Sequence, residues 1–424
     1  MHRRYLGAGP DMHAVFHMER PSPRARYLIG HLLGGMMGRE LVEETDRQRF
    51  DAHQGPRLYY GEGGPADAFV LTPSPTLDTG LPPLDPQVDP LGAAFHLLTL
   101  AHETGLPEDE HGRPDHEQLQ GWTLAAMERP VVDEWALALD DAWSRQDHRL
   151  PPRRRSYTQV VTLDLDNGFK YLGRPWWRTL GSAARDVLQG RLRELGERGA
   201  VLMGRAKDPY VIDELFEQVT SRYADRTVVN LLVAERGRHD HAVPLAFPPM
   251  AERARALSHR HAIGLHPSYA SSEVSGATAR EKSRLEAVIG SSVKVSRQHF
   301  LRFKVPGTFV ELEGLGIREE HSLGFSRRTG FRCGTCTPFP WYDRKNERRT
   351  ELECWPFQVM DSALAYGMRL GPVAAIEEAL RLAGAVRQVG GTFVSVWHER
   401  FISGHGHEAG WEVVLPRVAE GAAP

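Results

Sequence analysis

Cysteine is scarce in this chain, with three in 424 residues. Cys333, Cys336 and Cys354 cannot all pair within one chain, so a disulfide framework of the secreted kind is not expected, and a reducing compartment is. Cys333 and Cys336 form a lone CxxC with no second pair and no thioredoxin-like context, and read as two ordinary thiols. Long apolar runs are missing too: no stretch approaches the ~20 residues that span a bilayer. Nor does one sign of charge dominate. Lys and Arg number 52 against 55 Asp and Glu, a formal net charge of -3, and the basic run at 153–155 is short. Such a chain has no field to gather polyanions, so nucleic acid is not an expected partner. The opening MHRRYLGAGPDMHAVF is broken by Gly and Pro before an apolar core could form, so no signal peptide and a cytoplasmic location are expected. No internal repeat or low-complexity tract is visible.

What is present divides the chain in two. Residues 1–150 carry Pro/Gly-rich connections such as TPSPTLDTGLPPLDPQVDP and the polar DEHGRPDHE, which read as surface loops. Apolar segments at 27–37 and 91–101 read as helices packing on a small sheet. LPPRRRS at 150–156 has the composition of an interdomain connection. Beyond it, residues 151–424 alternate β-rich runs with amphipathic helices. Strands are predicted at 159–165, 227–233, 262–265, 293–296 and 392–397, with a helix over 372–386. Residues 183–195 read as another helix, with Ala184, Val187, Leu188, Leu192 and Leu195 on one face. Asp208 and Pro209 offer an N-cap and first position for a helix whose stripe is Ile212, Leu215, Phe216 and Val219. This alternation argues for an α/β fold with a parallel sheet or barrel.

Several predicted strands end in polar residues: VTLDLDN, AIGLHPSY, VKVSRQHF and TFVSVWH. In α/β barrels such strand ends converge on one mouth. Asp164 and Asp166 are spaced i, i+2, on one face of a strand, close enough that one must be paired or metal-bound; the alternative is a strand-end helix cap. One base and one ligand is the natural division. His266 precedes Pro267 at a strand tip, where a neutral imidazole can bind a cation. His398 ends an apolar strand and is a candidate acid. Arg297 and His299 offer an orienting cation and an extra ligand, with Arg302 the other arginine in reach. His239, His241, His259, His261, His405 and His407 are expected to be solvated.

The ordered set TLDLDN, GLHPSYAS, SRQHFLRF, GFRCGTCTPF and WHERF resembles the polysaccharide deacetylase (NodB homology) family of carbohydrate esterases over residues 157–409. It is most similar to a bacterial subgroup with an extra N-terminal domain, here residues 1–149. The resemblance implies an incomplete (β/α) barrel of about seven strands, preceded by a smaller N-terminal α/β or α+β domain. It implies a divalent metal, with zinc the expected ion, and hydrolysis of acetyl groups from an N-acetylated sugar or polysaccharide precursor. Asp164 falls on the base and Asp166 on the metal-binding carboxylate. The second motif has two histidines four apart. The first falls on His266, but the second position is Ala270. Arg297 matches the third motif, with His299 where a proline is usual and expected to replace the lost ligand. His398 matches the general acid. GFRCGTCTPF stands in the place of the fourth motif without its acidic residue, leaving open how His398 is tuned and whether Arg332 contributes. Trp176, Trp177, Trp341 and Tyr342 are candidate sugar-stacking faces. Two other readings remain: a carbohydrate-binding protein of reduced activity on the same barrel, and a hydrolase of another amide or ester.

Overall fold

Short β-rich runs near the N-terminus pair first. In the computed structural model, which describes residues 13–79, 83 and 85–424, strands β1 (Ala14–Met18), β2 (Leu41–Glu43), β3 (Arg57–Tyr60) and β4 (Phe69–Leu71) form a parallel sheet ordered β2-β1-β3-β4. Most of the stretch read for a signal peptide, and part of the proline-rich stretch at 72–90, lie outside the described residues. The apolar segments anticipated as helices are helical. One helix, Pro23–Ile29, starts at Ser22, whose side chain accepts from the Ala25 N–H, with Pro23 at the first position; the other, Pro90–Leu98, repeats the device with Asp89 and Pro90.

The second sheet has nine strands. It contains β5 (Thr158–Leu165), β6 (Arg226–Leu232), β7 (Ala262–His266), β8 (Val295–Ser296), β9 (Glu319–Glu320), β10 (Phe339–Asp343), β11 (Arg348–Cys354), β12 (Val359–Met360) and β13 (Thr392–His398). Their order is β10-β11-β9-β8-β7-β6-β5-β13-β12, and only the β10–β11 pair is antiparallel. Neighbours in the sheet are mostly neighbours in sequence, with the last strand beside the first, and helices fill the connections. Residues 355–358 cross from the β9 side of the sheet to β13: the Phe357 N–H donates to Leu323 O, just after β9, and the Gln358 N–H to Val394 O on β13. Apolar side chains of both sheets belong to one continuous buried cluster. Among the described residues no helix is long and apolar enough to cross a membrane.

Three expectations change. Asp208 does not cap a helix; it accepts the N–H groups of Lys170, Tyr171 and Leu172, holding the loop after β5, and the helix begins at Asp213. The expected helix over 183–195 breaks at Gly190, where φ is +67°, into Trp176–Leu188 and Leu192–Leu202. Its apolar stripe is not buried. Val187, Leu188 and Leu192 are exposed, because the inward position is held by Asp186 with Arg198 (2.7 Å) and Arg191 (3.6 Å). Trp341 and Tyr342 are buried in the core and cannot stack on a ligand.

The 150–156 segment is tied down on both sides. Arg154 N–H donates to Met37 O (2.9 Å), and the Arg155 guanidinium meets Asp133 at 2.5 Å. Asp133 is fully buried and also accepts from the Thr335 and Thr337 hydroxyls (2.6 and 2.5 Å) and the Cys336 N–H (3.1 Å). Removing a buried carboxylate strands a cation and three donors, a loss of about 3–5 kcal/mol for a broken buried pair. Asp133→Ala should therefore lower the denaturant midpoint by a corresponding amount in equilibrium unfolding; an unchanged midpoint would show that this joint carries no weight.

Candidate metal and acid-base site

Register brings the polar strand ends together. Asp164, at the end of β5, lies opposite His398 on β13 and Asn230 on β6, and His266 ends β7. Asp164 is buried and accepts from Asn230 Nδ2 and Arg297 Nη1, both at 2.8 Å. Arg297, fully buried, is itself held by Thr162 Oγ1 (2.7 Å) and His321 O (2.9 Å). Gly264 makes this possible: a Cβ there would stand 2.0 Å from Asn230 Oδ1. Burial pushes the Asp164 carboxyl up, but Arg297, His266 and His398 more than offset it, so its pKa falls below the usual value.

Asp166, two residues on, faces three imidazoles. Its Oδ1 is 3.4 Å from His266 Nε2 and 3.7 Å from His299 Nε2; its Oδ2 is 3.8 Å from His398 Nε2 and 3.3 Å from Arg400 Nη1. Oδ1 is buried with no hydrogen-bond partner. Burial opposes its charge, yet His398, His266, His299 and Arg400 hold the carboxyl well below the ordinary range. Behind the imidazoles, His266 Nδ1 meets Arg297 O at 2.5 Å and His299 Nδ1 meets Asp240 Oδ1 at 2.9 Å. Acceptors behind both Nδ1 atoms orient the two rings so that each Nε2 faces Asp166, the atom that would meet a bound cation once the ring is neutral. Ligand atoms of Asp166, His266 and His299 all lie within 4.8 Å of one another. Two oriented imidazoles and an unsatisfied carboxylate oxygen fit a borderline divalent ion such as zinc, with room for a further ligand.

His398 lies on the other side of Asp166. Its Nδ1 and its backbone N–H both meet Asp361, each at 2.6 Å. Burial lowers its pKa, but Asp361 and Asp166 overcome that and push it up to about 9. Glu399 anchors the loop by accepting the N–H groups of Asp166 (3.3 Å) and Asn167 (2.7 Å).

These groups line one cavity of about 590 Å³. Asp164, Asp166, His266, His299 and His398 open onto it, whereas Arg297 acts from behind Asp164. The DEHGRP stretch is not a free loop: His111 and Arg113 form part of the wall, Arg113 Nη1 donating to Phe300 O (2.8 Å) and His111 O accepting from Arg302 Nε (2.8 Å). Arg302 is thereby a clamp between the two parts of the chain. Arg332 is not part of the site, since a buried pair with Glu103 at 2.7 Å consumes it. Of the histidines expected in solvent, His261 is nearly buried beside Thr227 (2.7 Å), and His239 stacks on Tyr269 at 4.2 Å between ring centroids. Ala270 offers no side-chain ligand, whereas His299 stands with Asp166 and His266.

Sequence reasoning missed Asp361, Asp240, Asn230 and Arg400. Asp361 follows the two-residue strand β12, adjacent to β13, so the acid behind His398 comes from VMDS and not from GFRCGTCTPF. A short apolar run ending in Asp, the pattern of the other site strands, was the available signal.

No protein-family model matches the chain, and no curated protein matches it. Among solved structures it is similar to a Mycobacterium smegmatis protein provisionally described as a polysaccharide deacetylase, at 15% identity and a TM-score of 0.40, over 64% of this chain and 86% of that one. It is also similar to a 4-alpha-glucanotransferase from Thermococcus litoralis, at 14% identity and a TM-score of 0.36, over 63% and 37% of the two chains. A polysaccharide deacetylase from Bacillus cereus is a third, at 12% identity and a TM-score of 0.31, over 63% and 87%.

A raised His398 pKa has a defined sign. The imidazolium's favourable contacts are complete below about pH 6.5, the ordinary value, and are lost as pH rises through about 9. In the metal-free protein the His398 ring resonances should titrate near 9 by NMR, and Asp361→Asn should bring the midpoint back toward the ordinary histidine range. A midpoint unmoved by that substitution would remove Asp361 from the account.

Proposed function

We propose that this chain is a metal-dependent hydrolase that removes acetyl groups from an N-acetylated sugar or polysaccharide precursor. Residues 151–424 would be the catalytic domain, the nine-stranded sheet curling into an incomplete (β/α) barrel, and residues 1–150 an accessory domain that lends one wall of the cavity. The strand order, running in sequence with the last strand beside the first, supports the barrel. One observation carries the catalytic reading: the Nε2 atoms of His266 and His299 face the unpartnered Oδ1 of Asp166, and Asp164 and His398 line the same cavity.

In this reading Asp166, His266 and His299 would hold a divalent ion, zinc by donor type, which would supply Lewis acidity when bound. Asp164 is ionised at neutral pH and takes the proton of the attacking water. Arg297 and Asn230 fix its orientation and keep it charged. His398, protonated through neutral pH, gives a proton to the departing amine or alcohol as the carbon–nitrogen or carbon–oxygen bond breaks. Asp361 holds that ring in place and stabilises the imidazolium. Cavity walls of His, Arg and Glu are polar enough for a carbohydrate. The overall balance of -3 gives no chain-wide attraction for nucleic acid, and the cysteine content supports action in the cytoplasm.

Acetate release from a panel of N- and O-acetylated sugars tests this directly. Asp164→Asn should lower the rate roughly 10²–10⁴-fold, the range for losing a positioned base, while leaving metal content unchanged. Release unaffected by Asp164→Asn would reject the mechanism. Release from other amides or esters but not from acetyl sugars would move the assignment to a different acyl group, and glycan binding without hydrolysis would move it to a binding protein.

A further inference from the structure

The helical hairpin after β5, Trp176–Leu188 and Leu192–Leu202, is turned inside out. At 100° per residue, Trp176, Leu180, Ala184 and Val187 share a stripe that Trp177 and Leu188 widen. In a helix folded onto a core that stripe faces inward. Here Trp176 is 71%, Leu180 60% and Leu188 87% exposed, and Leu192, Leu202 and Met203 extend the apolar surface into the second helix. The residue turned inward is Asp186, paired with Arg198. Apolar surface on this scale marks a place where another phase or molecule lies.

Charge identifies which. Residues 170–207 hold nine Lys and Arg against three Asp and Glu, within a chain whose overall balance is -3. Arg178 and Arg185 lie together along one edge of the apolar stripe, Arg193 is exposed on the second helix, and Arg236 lies near Arg178. None of the four has an acidic partner in a salt bridge among the described residues. A second copy of this chain is disfavoured as the cover, because a two-fold pairing of apolar stripes would bring like-charged arginine rims together. Two tryptophans and branched apolar side chains edged by unpaired arginines fit the headgroup–acyl boundary of an anionic bilayer.

We propose that the 176–203 hairpin is an interfacial element that seats this protein on an anionic lipid surface. The hairpin follows directly on the loop that carries Asp166, at the end of the sheet where the cavity opens, so a seated protein would present that cavity near the headgroups. This inference does not depend on the hydrolase reading.

Flotation of the full chain with vesicles of phosphatidylcholine and phosphatidylglycerol tests it, with pure phosphatidylcholine vesicles beside them. The wild-type chain should float with the anionic vesicles, with blue-shifted tryptophan emission, and release at high salt. Trp176→Ser combined with Leu188→Ser changes only exposed side chains, and should weaken binding at least about tenfold with an unchanged circular dichroism spectrum. Arg178→Glu with Arg185→Glu should weaken it and flatten the salt dependence. Failure of the wild-type chain to float, or flotation undiminished in the apolar variant, would overturn the proposal. So would a dimer in sedimentation that the apolar variant dissolves, which would assign the face to a second copy.

Discussion

A carboxylate oxygen buried without a partner is costly, and Asp166 Oδ1 is such an atom. Much of the surrounding structure can be read as the arrangement that makes this tolerable. Two imidazoles turn their Nε2 atoms toward it, each ring oriented by an acceptor behind, and His398 and Arg400 place positive charge on its other oxygen. The same positive surroundings keep Asp164 ionised, with Arg297 closest. A carboxylate that draws cationic groups this strongly and leaves one oxygen open is suited to a further cation, and Asp164 and His398 line the same cavity.

Much of this was legible one residue at a time. Strand-end polar residues after β-rich runs located Asp164, Asp166, His266 and His398, because a parallel sheet wound in chain order gathers those ends. His299 was anticipated as a ligand and stands beside His266 at 5.0 Å between ring centroids. What escaped notice were residues with no local signature. Asp240 lies in an irregular loop and Asp361 after a strand of two residues, and each acts only through a histidine distant in sequence. The exposed helix 176–188 misled for a different reason: periodicity reports that a helix has two faces, and not which one meets the protein.

The N-terminal region is built into the cavity. His111 and Arg113 are clamped to residues 300–302, where Phe300 and Leu301 take up left-handed backbone immediately after His299. That conformation is costly for such side chains and persists only where the surroundings fix it. The DEHGRP stretch is part of those surroundings, so the sequence that looked most like a loose loop helps to hold His299 in place. Asp133 ties the same region to β13 through Arg155 and the 335–337 turn.

The central claim is that Asp166, His266 and His299 form one cation site. Metal analysis of the purified chain after equilibrium dialysis against zinc tests it most directly. The account predicts one ion per chain, with binding lost in His299→Ala while the fold is retained. A wild-type chain that takes up no stoichiometric metal, or a His299→Ala chain that binds it as tightly as before, would contradict it.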